Sequence, residues 1–170
     1  MKPESTKEKI LEMLYDYPTK RFHMREIARK INVSATAVSK AVKILEKESL
    51  LTFKRGFISE IQANINDIFK NKKKINNLKG IYESKLLDYL KEKFPLTTIV
   101  LFGSYSKGED IERSDIDIVL FAKEKSLELN HFEKKLNRKI NIEFIDFKKA
   151  TKELKESIIN GIVLEGSIIW

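Results

Sequence analysis

Apolar residues recur at helical spacing through the first third of the chain. Ile10, Leu11 and Leu14 share one face of a segment that Ser5 can cap and Pro18 ends. Met24, Ile27, Ala28 and Ile31 follow at i, i+3, i+4, i+7 and stop near Asn32. After a three-residue break, Ser34 caps a third helix in which Val38, Ala41, Val42 and Leu45 keep that spacing, with Thr36, Ser39, Lys40, Lys43 and Lys47 mainly on other faces. The period then changes. Leu51 to Ile61 reads as two β-prone runs folded about Gly56, with Lys54 and Arg55 at the tip. Residues 66–79 return to a helix with Ile68, Ile75 and Leu78 apolar, and Gly80 is expected to end it. A further helix from Ile81 carries Leu86, Leu87, Leu90 and Phe94 as far as Pro95.

In the second half, Thr98 to Phe102 has the length and β-branched content of a buried strand and stops at Gly103-Ser104, where the backbone can turn tightly. Ser114 to Phe121 is a second strand. Its period of two sends the Asp115 and Asp117 carboxylates to one face while Ile116 and Ile118 enter the core. Leu129, Phe132 and Leu136 mark a helix, and Lys139 to Phe147 returns as a third strand with Asn141, Glu143 and Ile145 on one face. Thr151 to Asn160 is amphipathic through Leu154, Ile158 and Ile159. Ile162 to Trp170 closes the domain as a strand or docking segment, and its apolar end, Ile168-Ile169-Trp170, is expected to pack on the domain or on a second subunit.

Charge divides the chain the same way. Residues 1–80 hold 18 Lys+Arg against 9 Asp+Glu, and the remainder 15 against 16. The whole excess of positive charge therefore sits in the N-terminal part, as expected of a nucleic-acid-binding module joined to something else. The absence of cysteine excludes disulfide, zinc-thiolate and thiol chemistry, and His23 and His131 lack ligand partners at useful spacing. No run approaches a membrane span and the N-terminus shows no signal-like apolar region, so a cytoplasmic protein without a membrane partner is expected.

Two carboxylates side by side in an apolar strand need a reason. A half-solvated strand is one. A divalent cation with oxygen ligands is the other, and Mg²⁺ suits it best. Beside a Gly-Ser turn able to cradle phosphate, the pair has the parts of two-metal phosphoryl or nucleotidyl transfer. Leu101-Phe102-Gly103-Ser104-Tyr105-Ser106-Lys107-Gly108-Glu109 followed by Ser114-Asp115-Ile116-Asp117 resembles the nucleotidyltransferase fold of the DNA polymerase beta superfamily, closest to its minimal members. In the N-terminal part, the helix-turn-helix spacing with residues 34–48 as recognition helix, plus the basic hairpin, resembles a winged helix domain of small microbial transcription regulators.

The expected fold is therefore α+β, with a winged helix over residues 1–65, a helical linker over 66–80, and a nucleotidyltransferase domain with a mixed sheet over 81–170. Together the two pieces resemble archaeal fusions of this kind. The resemblance implies that Gly103 and Ser104 bind nucleotide and that Asp115 and Asp117 hold metal, two Mg²⁺ ions in all. It also implies that Glu143 supplies a third carboxylate beside the first two, as ligand or base, although aspartate is the commoner residue there. ATP or another nucleoside triphosphate would give its nucleotidyl group to an acceptor, a protein hydroxyl among the options. Ser34, Thr36, Ser39, Lys40, Lys43, Lys54 and Arg55 are the expected contacts to double-stranded DNA, and a homodimer fits a winged helix. The alternative is a transcriptional regulator whose nucleotidyltransferase fold senses nucleotide or dimerises without catalysis. A Glu143 in reach of both aspartates favours the enzyme, and one placed away from them favours the sensor.

Overall fold

The computed structural model describes residues 5–56 and 59–168. Phe57 and Ile58 of the expected basic hairpin, and Ile169 and Trp170 of the apolar end, lie outside the described residues. The chain divides into two compact units, Met1–Lys73 and Lys74–Trp170. Among the described residues no helix is long and apolar enough to cross a membrane.

The first unit starts with α1 (Thr6–Asp16), where the Ser5 hydroxyl accepts from the Glu8 N–H and Glu8 returns a bond to the Ser5 N–H. Next come α2 (Met24–Lys30) and α3 (Ala35–Lys47). Their apolar stripes bury Ile10, Leu14, Ile27, Val38, Val42 and Leu45 completely. The hairpin is β1 (Leu51–Lys54) paired antiparallel with β2 (Glu60–Ala63), Leu51 opposite Ala63 and Lys54 opposite Glu60. Phe22, between α1 and α2, adds a third rung by exchanging two 2.8 Å backbone bonds with Ile61. That rung has no sequence pattern of its own, because a single bridged residue shows no period.

The linker helix α4 runs from Asp67 to Glu83, so Gly80 lies inside it and does not stop it. The reason is packing: a Cβ on Gly80 would stand 3.3 Å from Leu136 Cδ2, and glycine lets the two elements approach. The break comes instead at Ser84 and Lys85. Lys85 takes a left-handed backbone at φ 69°, and the Ser84 hydroxyl donates to the Ile81 carbonyl at 2.9 Å.

In the second unit, α5 (Leu86–Lys93) precedes a four-stranded sheet of β3 (Ile99–Phe102), β4 (Ile116–Leu120), β5 (Ile140–Phe144) and β6 (Ile162–Glu165). The order is β5-β4-β3-β6, with β4 and β5 parallel and the other pairs antiparallel, which makes it the mixed sheet expected. Between strands lie α6 (Gly103–Lys107), α7 (Asn130–Leu136), a 3-10 turn (Phe147–Lys149) and α8 (Lys152–Ile159). One face of the sheet buries Ile99, Leu101, Ile116, Ile118 and Ile140 with Leu86, Leu87, Leu90 and Phe94. The other buries Val100, Phe102 and Val119 with Ile158 of α8. All four residues of β3 are buried, as a continuous apolar run at the centre of a covered sheet requires. The even-numbered side of β3 and the odd-numbered side of β4 share the α8 face, which places Asp117 on that face.

Candidate functional site

The site is built where β3 ends. Phe102 pairs with Asp117 across the ladder, so the residue after Phe102 turns directly over the Asp117 side chain. Gly103 makes that turn at φ 70°, a conformation that disfavours any residue with a Cβ. Space is the second demand. A Cβ there would overlap Asp117 Oδ2 and come within 3.3 Å of its Cγ. Ser104 follows in the first turn of α6, half-buried, and the Ser106 hydroxyl donates to the Gly103 carbonyl at 2.8 Å, pinning the turn. Asp115 stands one residue before β4 and is exposed, and Asp117 is half-buried.

On the other side of Asp117 the parallel partner strand presents Asn141. The register pairs Asp117 with Asn141 and Val119 with Glu143, and the Asn141 amide donates to Asp117 Oδ1 at 3.2 Å. The two oxygens of Asp117 thus have different neighbours, Asn141 on one and the Gly103 turn on the other. Glu143 is on the expected face but two positions farther along, about 6.5 Å of strand and on the side away from Asp115. The structure therefore seats Gly103 on Asp117, leaves Ser104 and Asp115 as near neighbours along the chain, and sets Glu143 two positions along β5. Among the described residues, no three of His, Cys, Asp and Glu are grouped so as to hold a metal ion. Asn141 is the residue that sequence reasoning missed: alternation put it on the same face as Glu143, but only pairing chooses between them.

A buried polar cluster supports the loop that delivers Asp115. Asp110, in the connection from α6 to β4, faces Arg138 Nη2 at 3.5 Å, and both side chains are almost wholly buried. Asn77 of α4 donates to Asp110 Oδ1 at 2.8 Å and to the Tyr105 carbonyl at 2.9 Å. Ser114 closes the loop by accepting from the Ile111 N–H at 2.9 Å. Glu133 of α7 accepts from Lys139 and from the Ile140 N–H, and these two bonds hold its carboxyl below the usual range. A polar cleft opens next to Asp115, with Arg113, Lys134 and Lys139 among its lining residues.

In the first unit the expected DNA-contact residues differ in exposure and in the partners they already have. Thr36, Lys40 and Lys43 are exposed along α3, and Lys54 is exposed on β1. The Ser34 hydroxyl is taken up as the cap of α3, accepting from the Ala37 N–H at 3.1 Å, and Ser39 is half-buried. Arg55 donates to Glu46 at 3.0 Å and lies over the Phe53 ring at 4.9 Å. His23, exposed, sits at the start of α2 with Nδ1 3.0 Å from the Ser59 carbonyl.

Residues 84–167 match the family described as Polymerase beta, Nucleotidyltransferase, a span that takes in the Gly103 turn and both aspartates. This part of the chain is a polymerase beta-type nucleotidyltransferase domain. Residues 4–56 match the MarR family, so a MarR-type winged helix precedes the nucleotidyltransferase domain. Two relatives come from Methanocaldococcus jannaschii. "Putative protein adenylyltransferase MJ1379" is 55% identical over 31 residues, 18% of this chain and 31% of that protein. "Putative protein adenylyltransferase MJ0128" is 38% identical over 58 residues, 34% and 45% respectively. The chain thus spans less than half the length of each of these relatives. The crystal structure of adhesin competence repressor (AdcR) from Streptococcus pyogenes covers 55% of this chain and 69% of its own, with a TM-score of 0.40 and 23% identity.

Proposed function

We propose that the nucleotidyltransferase domain binds a nucleoside triphosphate, ATP for preference, with Mg²⁺, and passes its nucleoside monophosphate to an acceptor hydroxyl. The observation that carries this reading is the seating of the Gly103 turn on the Asp117 carboxylate, with Asp115 at the same end of the strand. That seating supports a phosphate-holding turn directly beside a metal-holding carboxylate. Two carboxylates are hard oxygen donors of the kind Mg²⁺ prefers, so the donor set fits one such ion. Bound there, Mg²⁺ would neutralise phosphate charge and stabilise the charge that develops during transfer.

The roles of the chain's own residues follow from position. Gly103 and Ser104 hold the phosphates, and Asp115 and Asp117 hold the cation. An acceptor oxygen attacks the α-phosphorus as the α–β phosphoanhydride bond breaks, pyrophosphate leaves, and the acceptor's proton goes to solvent. The names of the archaeal relatives make a protein hydroxyl the first acceptor to try. The winged helix would hold double-stranded DNA through Thr36, Lys40, Lys43 and Lys54, as a homodimer in the cytoplasm, with Ser34, Ser39 and Arg55 at the edge of that contact.

The second reading, a regulator that senses nucleotide without turning it over, is favoured by the placement of Glu143 opposite Val119. The experiment is thermal unfolding of the full chain with and without Mg²⁺ and ATP. Ligand at about 100 times Kd adds roughly 2.7 kcal/mol to the folded state. The double substitution Asp115→Asn with Asp117→Asn should abolish that shift while leaving the protein folded, and a full shift in the double variant would remove these acids from the site. Label transfer from α-labelled ATP to a partner then separates enzyme from sensor, and Glu143→Gln should change its rate little.

A further inference from the structure

The sheet gives Asp117 an amide for a neighbour where a second cation would need an acid. A triphosphate held over Gly103 and Ser104, as proposed above, would lie on the β3 side of Asp117. On the opposite side stands β5, and the residue it sets in register with Asp117 is Asn141, whose amide nitrogen already donates to Asp117 Oδ1 at 3.2 Å. That bond takes up a carboxylate lone pair on the side away from the phosphates. A second divalent ion about 3.5–4 Å from the first would need oxygen ligands beyond those that hold the first. Mg²⁺ also demands near-ideal octahedral geometry. Among the described residues no third acid is grouped with Asp115 and Asp117, and Glu143 is two positions along the strand.

We propose that Asn141 limits this site to one divalent cation, the one that enters with the triphosphate, and so favours holding the nucleotide over rapid transfer. Asn141 is a positioning residue: it fixes the Asp117 carboxylate and supplies no charge of its own. The inference rests on the nucleotide-binding reading above. Its test counts ions directly. The full chain with saturating α,β-methylene-ATP is titrated with Mn²⁺, and free Mn²⁺ is followed by electron paramagnetic resonance. Wild type should take up one Mn²⁺ per chain. Asn141→Asp should take up two, the second at least tenfold tighter than any second ion in wild type. Asn141→Ala, which removes the hydrogen bond without adding charge, should stay at one. Two ions of similar affinity in wild type, or only one in Asn141→Asp, overturns the inference and leaves the nucleotide site standing. Failure of wild type to bind the analogue at all removes the nucleotide-binding reading and this inference with it.

Discussion

Replacing Gly103 with alanine tests the centre of the site. Two costs are expected. The first is backbone: at φ 70° a residue with a Cβ loses roughly 1–2 kcal/mol relative to glycine. The second is the Asp117 carboxylate, whose Oδ2 occupies the space the new methyl needs. Because the end of β3 and the start of α6 fix the backbone at Gly103, the carboxylate has to move. Leaving its preferred rotamer costs about 0.5–1.5 kcal/mol, and weakening its hydrogen bond from Asn141 costs about another 1 kcal/mol. The expected loss for Gly103→Ala is about 2.5–4.5 kcal/mol, read from the unfolding transition of the C-terminal unit by calorimetry of the full chain. The same substitution in an Asp117→Ala background should cost the backbone share alone, about 1–2 kcal/mol. The difference is a coupling energy between Gly103 and Asp117. The Mg²⁺ and ATP stabilisation should also disappear in Gly103→Ala. Equal losses in the two backgrounds would refute the argument that this glycine exists to admit the carboxylate.

Three further outcomes are expected. Arg138→Met should destabilise the chain by up to about 3–5 kcal/mol because it removes the guanidinium that faces the buried Asp110 carboxylate, and adding Asp110→Asn should recover part of that loss in denaturant unfolding. Lys54→Ala should reduce the slope of log affinity against log salt for double-stranded DNA by about 0.9, and Arg55→Ala by less, since Arg55 is already paired with Glu46. Glu133 has its folded-state pKa lowered by Lys139 and the Ile140 N–H, so its contribution is present above the unfolded-state value and is lost as pH falls through the lower folded-state one. Acid titration of stability should therefore be shallower below about pH 4.5 in Glu133→Gln than in wild type.

What the sequence determined here is whatever depends on a local period. Apolar spacing of 3.6 located α1, α2 and α3, because a helix must bury one stripe whatever it packs against. Alternation in Ser114 to Phe121 separated Asp117 from the core-facing Ile116 and Ile118, and the Gly-Ser turn was legible because its residue types answer a backbone demand. Face and position are different quantities, however. Asn141 and Glu143 obey the same alternation, so the sequence left both able to stand beside Asp117, and the hydrogen-bonded register of β4 with β5 selected Asn141. Gly80 shows the same limit: glycine after a lysine-rich helix reads as a terminator, but contact with Leu136 gives it a packing role inside α4. Asp110 and Arg138, 28 residues apart, carry no sequence signal of partnership, since a buried ion pair exists only once two loops are brought together. The chain's periods dictated which side each residue faces. Long-range pairing alone decided which side chains meet, because strand register and loop closure depend on neighbours distant in sequence.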